Sequence, residues 1–253
     1  MINLLTLQNK NIIITGASSG IGRQCAITAS RLGATVALMG RNKQRLEETL
    51  SYMEHGNHLI TAGDITVYDT LGDTVARIVK HTGKISGFIH SAGIEMTKPL
   101  KSMAQNEYES LFATNVISGL ELAKIISQKK HFAEEGASFI YVASVMGFLG
   151  QPGKVGYCAS KGALVPATKA MALELASKNI RVNCLLLGIV ETEMANNLLE
   201  TVPEERKYEI IKRHPLGLGK PEDVAYYCAF LLSDLSRWVT GSSIVIDGGY
   251  SAG

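Results

Sequence analysis

Short β-branched runs alternate with longer stretches of helical periodicity along most of the chain. Asn11–Thr15 predicts a buried strand, since three consecutive Ile leave it no polar face. The glycine-rich segment Gly16–Gly22 follows, then a helical stretch over Ile21–Leu32 that Gly33 closes. Further strands are predicted at Thr35–Met39, His58–Ala62, Gly87–His90, Ser138–Ala143, Arg181–Leu186 and Ser243–Ile246. Helices are predicted at Lys43–Glu54, Val67–His81, Ser102–Lys129 with a break, Gly156–Ser177 and Pro221–Leu232. Pro221 suits a first helical turn, whereas Pro166 inside a helix should kink it or cost a hydrogen bond. Strands that alternate with helices imply parallel pairing covered on both faces. The expected fold is α/β: one doubly wound domain over 1–253, with about seven strands and ligand at their carboxyl ends.

Composition narrows this picture without redirecting it. The 253 residues are 46% hydrophobic and 19% charged, which suits one large globular domain. A net charge of +2 gives no electrostatic reason to expect nucleic acid or an anionic membrane as a partner. Met1–Lys10 lacks the pattern of a signal peptide, and no apolar run approaches the ~20 residues of a membrane span. Cys25, Cys158, Cys184 and Cys228 are scattered and form no CxxC pair, so reduced thiols in a cytoplasm are expected. Metal-ligand clusters are missing, and no metal is expected.

The glycine segment carries the first chemistry. It stands between a predicted strand and a predicted helix, where unpaired N–H groups favour phosphate. Gly16 would allow the turn, Gly20 the approach of a pyrophosphate, and Gly22 close helix packing. The end of the second strand offers Gly40 then Arg41 in place of the carboxylate that binds a ribose 2′-hydroxyl. A guanidinium there suits a 2′-phosphate, so NADP(H) is favoured over the reading in which Arg41 only caps or solvates the strand end, and NAD(H) stays open. Asp64 follows the third strand, where it could hold the adenine amine or form a turn.

Tyr157 and Lys161 stand four apart at the start of a helix, hence on one face. A phenol near pKa 10 is a poor proton donor at neutral pH, and an adjacent ammonium would lower it. Ser144, at the carboxyl end of the fifth strand, could donate to a carbonyl and hold it beside the phenol.

With these residues in view, the chain resembles the classical short-chain dehydrogenase/reductase family over essentially its whole length. The glycine motif matches Thr15–Gly22, and the family's Tyr-x-x-x-Lys matches Tyr157–Lys161. The family serine matches Ser144, thirteen residues before the tyrosine, and its helix asparagine matches Asn115. The resemblance implies that Tyr157 is the general acid in reduction and the base in oxidation. It implies that Lys161 tunes Tyr157 and binds the nicotinamide ribose, that Ser144 polarises the carbonyl, and that Asn115 holds a water linking Lys161 to solvent. It extends cofactor contact to Ser18, Ser19 and Ile21, to Ile65, to Ser91, Ala92 and Gly93, and to Gly188, Val190 and Thr192. Direct hydride transfer between nicotinamide and carbonyl carbon needs no metal. Two positions depart from the family pattern. His90-Ser91 stands for Asn-Asn, which loosens the cofactor expectation there, and Leu187-Gly188 stands for Pro-Gly.

Substrate contacts are expected from Ser144, Met146, Gln151, Tyr157 and Met194, with Phe148, Leu149, Leu198 and Leu199 nearby. They suit a mid-sized, partly apolar carbonyl or alcohol, or they pack a mobile lid. Gly219–Ala225, Val239–Gly241 and Asp247–Gly249 resemble the 3-oxoacyl-[acyl-carrier-protein] reductase branch, which makes a carrier-linked 3-oxoacyl thioester the leading substrate. Lys129, Lys130 and Lys178 are candidate basic residues for an acidic carrier protein, though Glu134 and Glu135 interrupt them. An NAD(P)-dependent sugar or small-alcohol dehydrogenase is the alternative. A catalytically silent cofactor-binding regulator is the alternative of another class. The resemblance also implies a homotetramer, with which the apolar stretch Trp238–Tyr250 is compatible.

Overall fold

The computed structural model describes residues 5–200 and 202–253; the first four residues of the stretch read for a signal peptide lie outside them. Seven parallel strands form one sheet in the order β3-β2-β1-β4-β5-β6-β7. They are β1 (Asn11–Thr15), β2 (Thr35–Gly40), β3 (Leu59–Ala62), β4 (Gly87–His90), β5 (Ala137–Ser144), β6 (Ile180–Leu187) and β7 (Ser243–Ile246). The expected strands are all present, most of them to within a residue at each end.

Side-chain alternation along the strands builds two cores. Ile13, Phe88, Phe139 and Tyr141 point to one face, and Ile12, Ile14, Ile89 and Ile140 to the other. The first face is covered by α3 (Leu71–Thr82), α5 (Ser118–Ile126) and α6 (Val155–Leu175), through Ile78, Leu122 and Leu164. The second is covered by α1 (Gly20–Arg31) and α9 (Pro221–Leu232), through Ala26 and Leu231. Both faces being covered explains why β1, β4 and β5 read as continuous apolar runs rather than alternating ones.

Two helical expectations are revised. The helix expected to reach Glu54 ends earlier, as α2 (Lys43–Ser51). The long helix expected over Ser102–Lys129 is α4 (Gln105–Phe112), a π-helical turn over Ala113–Ile117, and α5. The expected break is therefore a widened turn, not an interruption. The helix α6 runs continuously through Pro166, whose missing N–H costs it the one expected hydrogen bond. Two further helices follow β6: α7 (Glu193–Glu200), which holds Met194, Leu198 and Leu199, read as substrate contacts or a lid, and α8 (Glu204–Lys212).

The strand order reverses between β1 and β4, so the loops leaving these strands diverge and open a crevice. Thr15 pairs with His90 at that point. No described helix is long and apolar enough to cross a membrane. All four cysteines are free.

Candidate active site

A cavity of about 760 Å³ runs along the carboxyl ends of the strands, from Arg41 at one end to Tyr157 and Met194 at the other. All the expected cofactor and substrate residues line it except Gly22, and so do three of the four expected catalytic residues. Gly22 and Asn115 lie behind the wall. Phe148, Leu149 and Leu199, read as substrate neighbours, do not line it. Phe148 is exposed, and Leu149 packs against the core.

The glycine loop is shaped by close backbone approaches. Gly16 has φ +68°, and a Cβ on it would lie 2.8 Å from the Ala92 nitrogen. A Cβ on Gly22 would lie 2.3 Å from the Gly16 carbonyl oxygen. Only glycines let the loop fold back on α1 while the loop after β4 presses on it. Thr15 Oγ1 joins these loops by accepting from Ala92 N–H at 3.2 Å. At the start of α1, Ser19 makes no side-chain capping bond and the first turn carries no acid. Its N–H donors thus meet no acceptor of the kind that usually caps a helix, and the end suits a phosphate.

Arg41 stands exposed just past β2 and has no ion-pair partner among the described residues. The neighbouring Arg45 is committed to Glu193 at the start of α7. Asp64 serves the turn: its Oδ1 accepts from Thr66 N–H and Oγ1–H at 2.8 and 2.7 Å. Those bonds hold its carboxyl below the usual range, with a smaller push from Arg41. An uncapped helix start, glycines that fit only glycine, and a free guanidinium together fit a phosphorylated dinucleotide.

At the other end, Ser144 is the last residue of β5. Its Oγ accepts from Met146 N–H at 3.2 Å and donates to the Leu187 carbonyl at 3.3 Å. Tyr157 is half-buried in the first turn of α6, and Lys161 is buried on the next turn. Lys161 Nζ donates to the Val142 carbonyl at 2.9 Å and lies 5.9 Å from the centre of the Tyr157 ring. The expected lowering of Tyr157 by Lys161 does not appear. Burial pushes the phenol up to about 12, against a downward pull from a hydrogen bond with Ser144. Burial also pulls Lys161 down to about 8. Desolvation outweighs the ammonium because Lys161 spends its contact on a main-chain carbonyl.

Asn115 sits in the π-helical turn and is fully buried. Its Oδ1 accepts from Ile94 N–H at 2.8 Å, and its Nδ2 donates to the Ile94 carbonyl and to Ser160 Oγ, each at 3.0 Å. The side chain thus clamps the loop after β4 to α6. Both Nδ2 protons are engaged, which leaves a second acceptor site on Oδ1 and the main chain of this turn for a water link to Lys161.

Sequence reasoning noted His90 only as a departure. Thr15 Oγ1, which accepts from Ala92 N–H, lies 3.0 Å from its Nδ1 in a buried hydrogen bond. With Nδ1 accepting from that hydroxyl, the ring proton would sit on Nε2, on the side of the Thr114 and Asn115 main chain, where it closes no full hydrogen bond. Burial, with Lys161 nearby, drops its pKa to about 3, so the ring stays neutral. His90 thus links the glycine loop to the turn that bears Asn115.

A family model described as enoyl-(acyl carrier protein) reductase matches residues 16–251. The chain is 34% identical over 248 residues to 3-oxoacyl-[acyl-carrier-protein] reductase FabG of Thermotoga maritima, covering 97% of this chain and 99% of that one. It is 33% identical over 251 residues to gluconate 5-dehydrogenase of Gluconobacter oxydans, covering 98% and 96%. Among solved structures, 7α-hydroxysteroid dehydrogenase complexed with NADH and 7-oxo glycochenodeoxycholic acid matches with a TM-score of 0.91, 27% identity and 98% coverage of each chain.

Proposed function

Since this chain belongs to the short-chain dehydrogenase/reductase family, whose members are oxidoreductases acting on CH–OH groups with NAD(P), we propose that it is an NADPH-dependent reductase of 3-oxoacyl thioesters. One observation carries the reading: a single cavity joins a free guanidinium at the strand end to a Ser–Tyr–Lys set. Similarity to the Thermotoga enzyme supports the acyl substrate.

The cofactor, when bound, supplies the hydride. The glycine loop and α1 would hold its pyrophosphate, Arg41 its 2′-phosphate, and Lys161 its ribose. Ser144 would exchange its long bond to Leu187 for one to the substrate carbonyl oxygen. Tyr157 would then donate its proton to that oxygen as the carbon is reduced. Lys161 as an ammonium would stabilise the phenolate left behind. Asn115 would act as a positioning residue, holding the turn and loop around Lys161. The cytoplasm is the compartment that four free thiols suit.

Lys129, Lys130 and Lys178 do not line the cavity. Lys178 Nζ donates to the Ser127 carbonyl at 3.1 Å, so the three gather beside the starts of β5 and β6, away from this protomer's site. Exposed Trp238, Leu173 and Val245 favour assembly, and a homotetramer is the expected state. A sugar or small-alcohol dehydrogenase is the second reading, favoured by similarity to gluconate 5-dehydrogenase.

Turnover of an acetoacetyl thioester with NADPH and with NADH tests the reading. Arg41→Ala should lower kcat/KM for NADPH on the order of 30-fold and leave NADH little changed, since it removes one charge-assisted contact. Equal loss with both cofactors would overturn the assignment of Arg41. The pH profile provides another check. Lys161 is charged below about 8 and neutral above it. Reductive kcat/KM should therefore fall with rising pH beyond that point, by about tenfold per unit at the limit. Lys161→Met should give a lower and flat profile.

A further inference from the structure

The cavity wall beside Tyr157 carries an ion pair that the proposed mechanism does not use. Glu95 lies on the loop that leaves β4, and Lys154 immediately precedes α6. Lys154 Nζ is hydrogen-bonded to Glu95 Oε1, and the two side chains are only 7% and 18% exposed. Thr97 Oγ1 donates to the same oxygen at 2.8 Å. Lys98 N–H donates to the Gly153 carbonyl at 2.7 Å, which fastens the two loops together. Lys154 Nζ also lies 5.6 Å from the centre of the Tyr157 ring. Both Glu95 and Lys154 line the same cavity as Ser144 and Tyr157.

An ammonium has three donors, and Glu95 is the one acceptor that Lys154 Nζ has among the described residues. Glu95 Oε2 accepts no hydrogen bond among them. Enclosing a charged pair costs more than its own attraction returns unless the remaining donors and acceptors are satisfied. An apolar substrate chain against this wall would strip its water and leave those groups unmatched. A substrate oxygen would match them.

We propose that Glu95 and Lys154 form a subsite for a second oxygen on the substrate, a carbonyl or hydroxyl one or two carbons from the reacting carbonyl. Lys154 donates to that oxygen. Glu95 holds Lys154 in place and accepts from the oxygen when it is a hydroxyl. This rests on Ser144 and Tyr157 holding the first oxygen. The chemistry is shared by a 3-oxoacyl thioester, whose second oxygen is the thioester carbonyl, and by a hydroxylated ketone.

Matched substrate pairs test the subsite and separate the two sources. One arm compares acetoacetyl-N-acetylcysteamine with the same molecule bearing CH₂ in place of its thioester carbonyl. The other compares 4-hydroxy-2-butanone with 2-pentanone. The wild type should prefer the doubly oxygenated member of at least one arm by about 30-fold in kcat/KM, and Lys154→Met should reduce that ratio to within about threefold. No preference in either arm overturns the subsite, as does a preference that survives Lys154→Met. Preference in the hydroxyl arm alone leaves the subsite standing and removes the acyl reading. Equal turnover of the thioester and its thioether, with no preference in the hydroxyl arm, removes the subsite and leaves the acyl reading standing. NADPH fluorescence reports whether Lys154→Met is folded, and Lys154→Gln replaces it if it is not. If neither arm turns over, the acyl reading fails, and the same ratios are read as ligand affinities from bound-NADPH fluorescence.

Discussion

Tyr157→Phe is expected to lower kcat on the order of 10³-fold while NADPH binding stays near wild type, because it removes one hydroxyl and little else. The phenol is the group that can deliver a proton beside Ser144, and burial keeps it protonated well beyond neutral pH. A donor with pKa near 12 gives its proton reluctantly to bulk water, so it releases one only as negative charge grows on the substrate oxygen. Lys161 then matters in the transition state more than in the ground state. Stopped-flow reduction with NADPH, alongside fluorescence titration of the cofactor, separates the two effects. A protein that used its cofactor only for regulation would be indifferent to this change.

Gly22→Ala is expected to act at the opposite end of the cavity. Its Cβ would sit 2.3 Å from the Gly16 carbonyl oxygen, a main-chain atom that cannot swing aside. The glycine loop or α1 must shift, at a cost of about 1–3 kcal/mol for such overpacking. The shift would also move the N–H donors that face the phosphates. Cofactor affinity should fall on the order of 100-fold, at roughly 1.4 kcal/mol per tenfold, and the melting temperature should drop as well. Unchanged affinity would mean that the loop does not hold the pyrophosphate.

The sheet was legible in the sequence because its strands are buried on both faces and interrupted by glycine or polar turns. Asn11–Thr15 and Gly87–His90 match the structure to the residue for that reason. The helices α7 and α8 were not legible. Thr192 Oγ1 does cap α7, accepting from Ala195 N–H at 3.3 Å, and Pro203 precedes two acidic residues at the start of α8, but each helix spans only about two turns, too short for its periodicity to stand out. The π-helical turn was read only as a break, since its residues would suit an ordinary helix equally well. Ser144, Tyr157 and Lys161 were legible because local spacing places them. The pair Glu95 and Lys154 was not, because two loops distant in sequence bring it together. His90 could have been suspected from its place at a strand end between Ile89 and Ser91, but its link to Thr15 depends on strand register.

The most direct test of the account is reduction of an acetoacetyl thioester with NADPH deuterated at its transferable position. The account predicts a 3-hydroxyacyl thioester carrying deuterium at the carbinol carbon, formed by the wild type and lost in Tyr157→Phe. Failure to form it, together with deuterium delivered instead to the double bond of a crotonyl thioester, would contradict the assignment of carbonyl reduction to Ser144 and Tyr157.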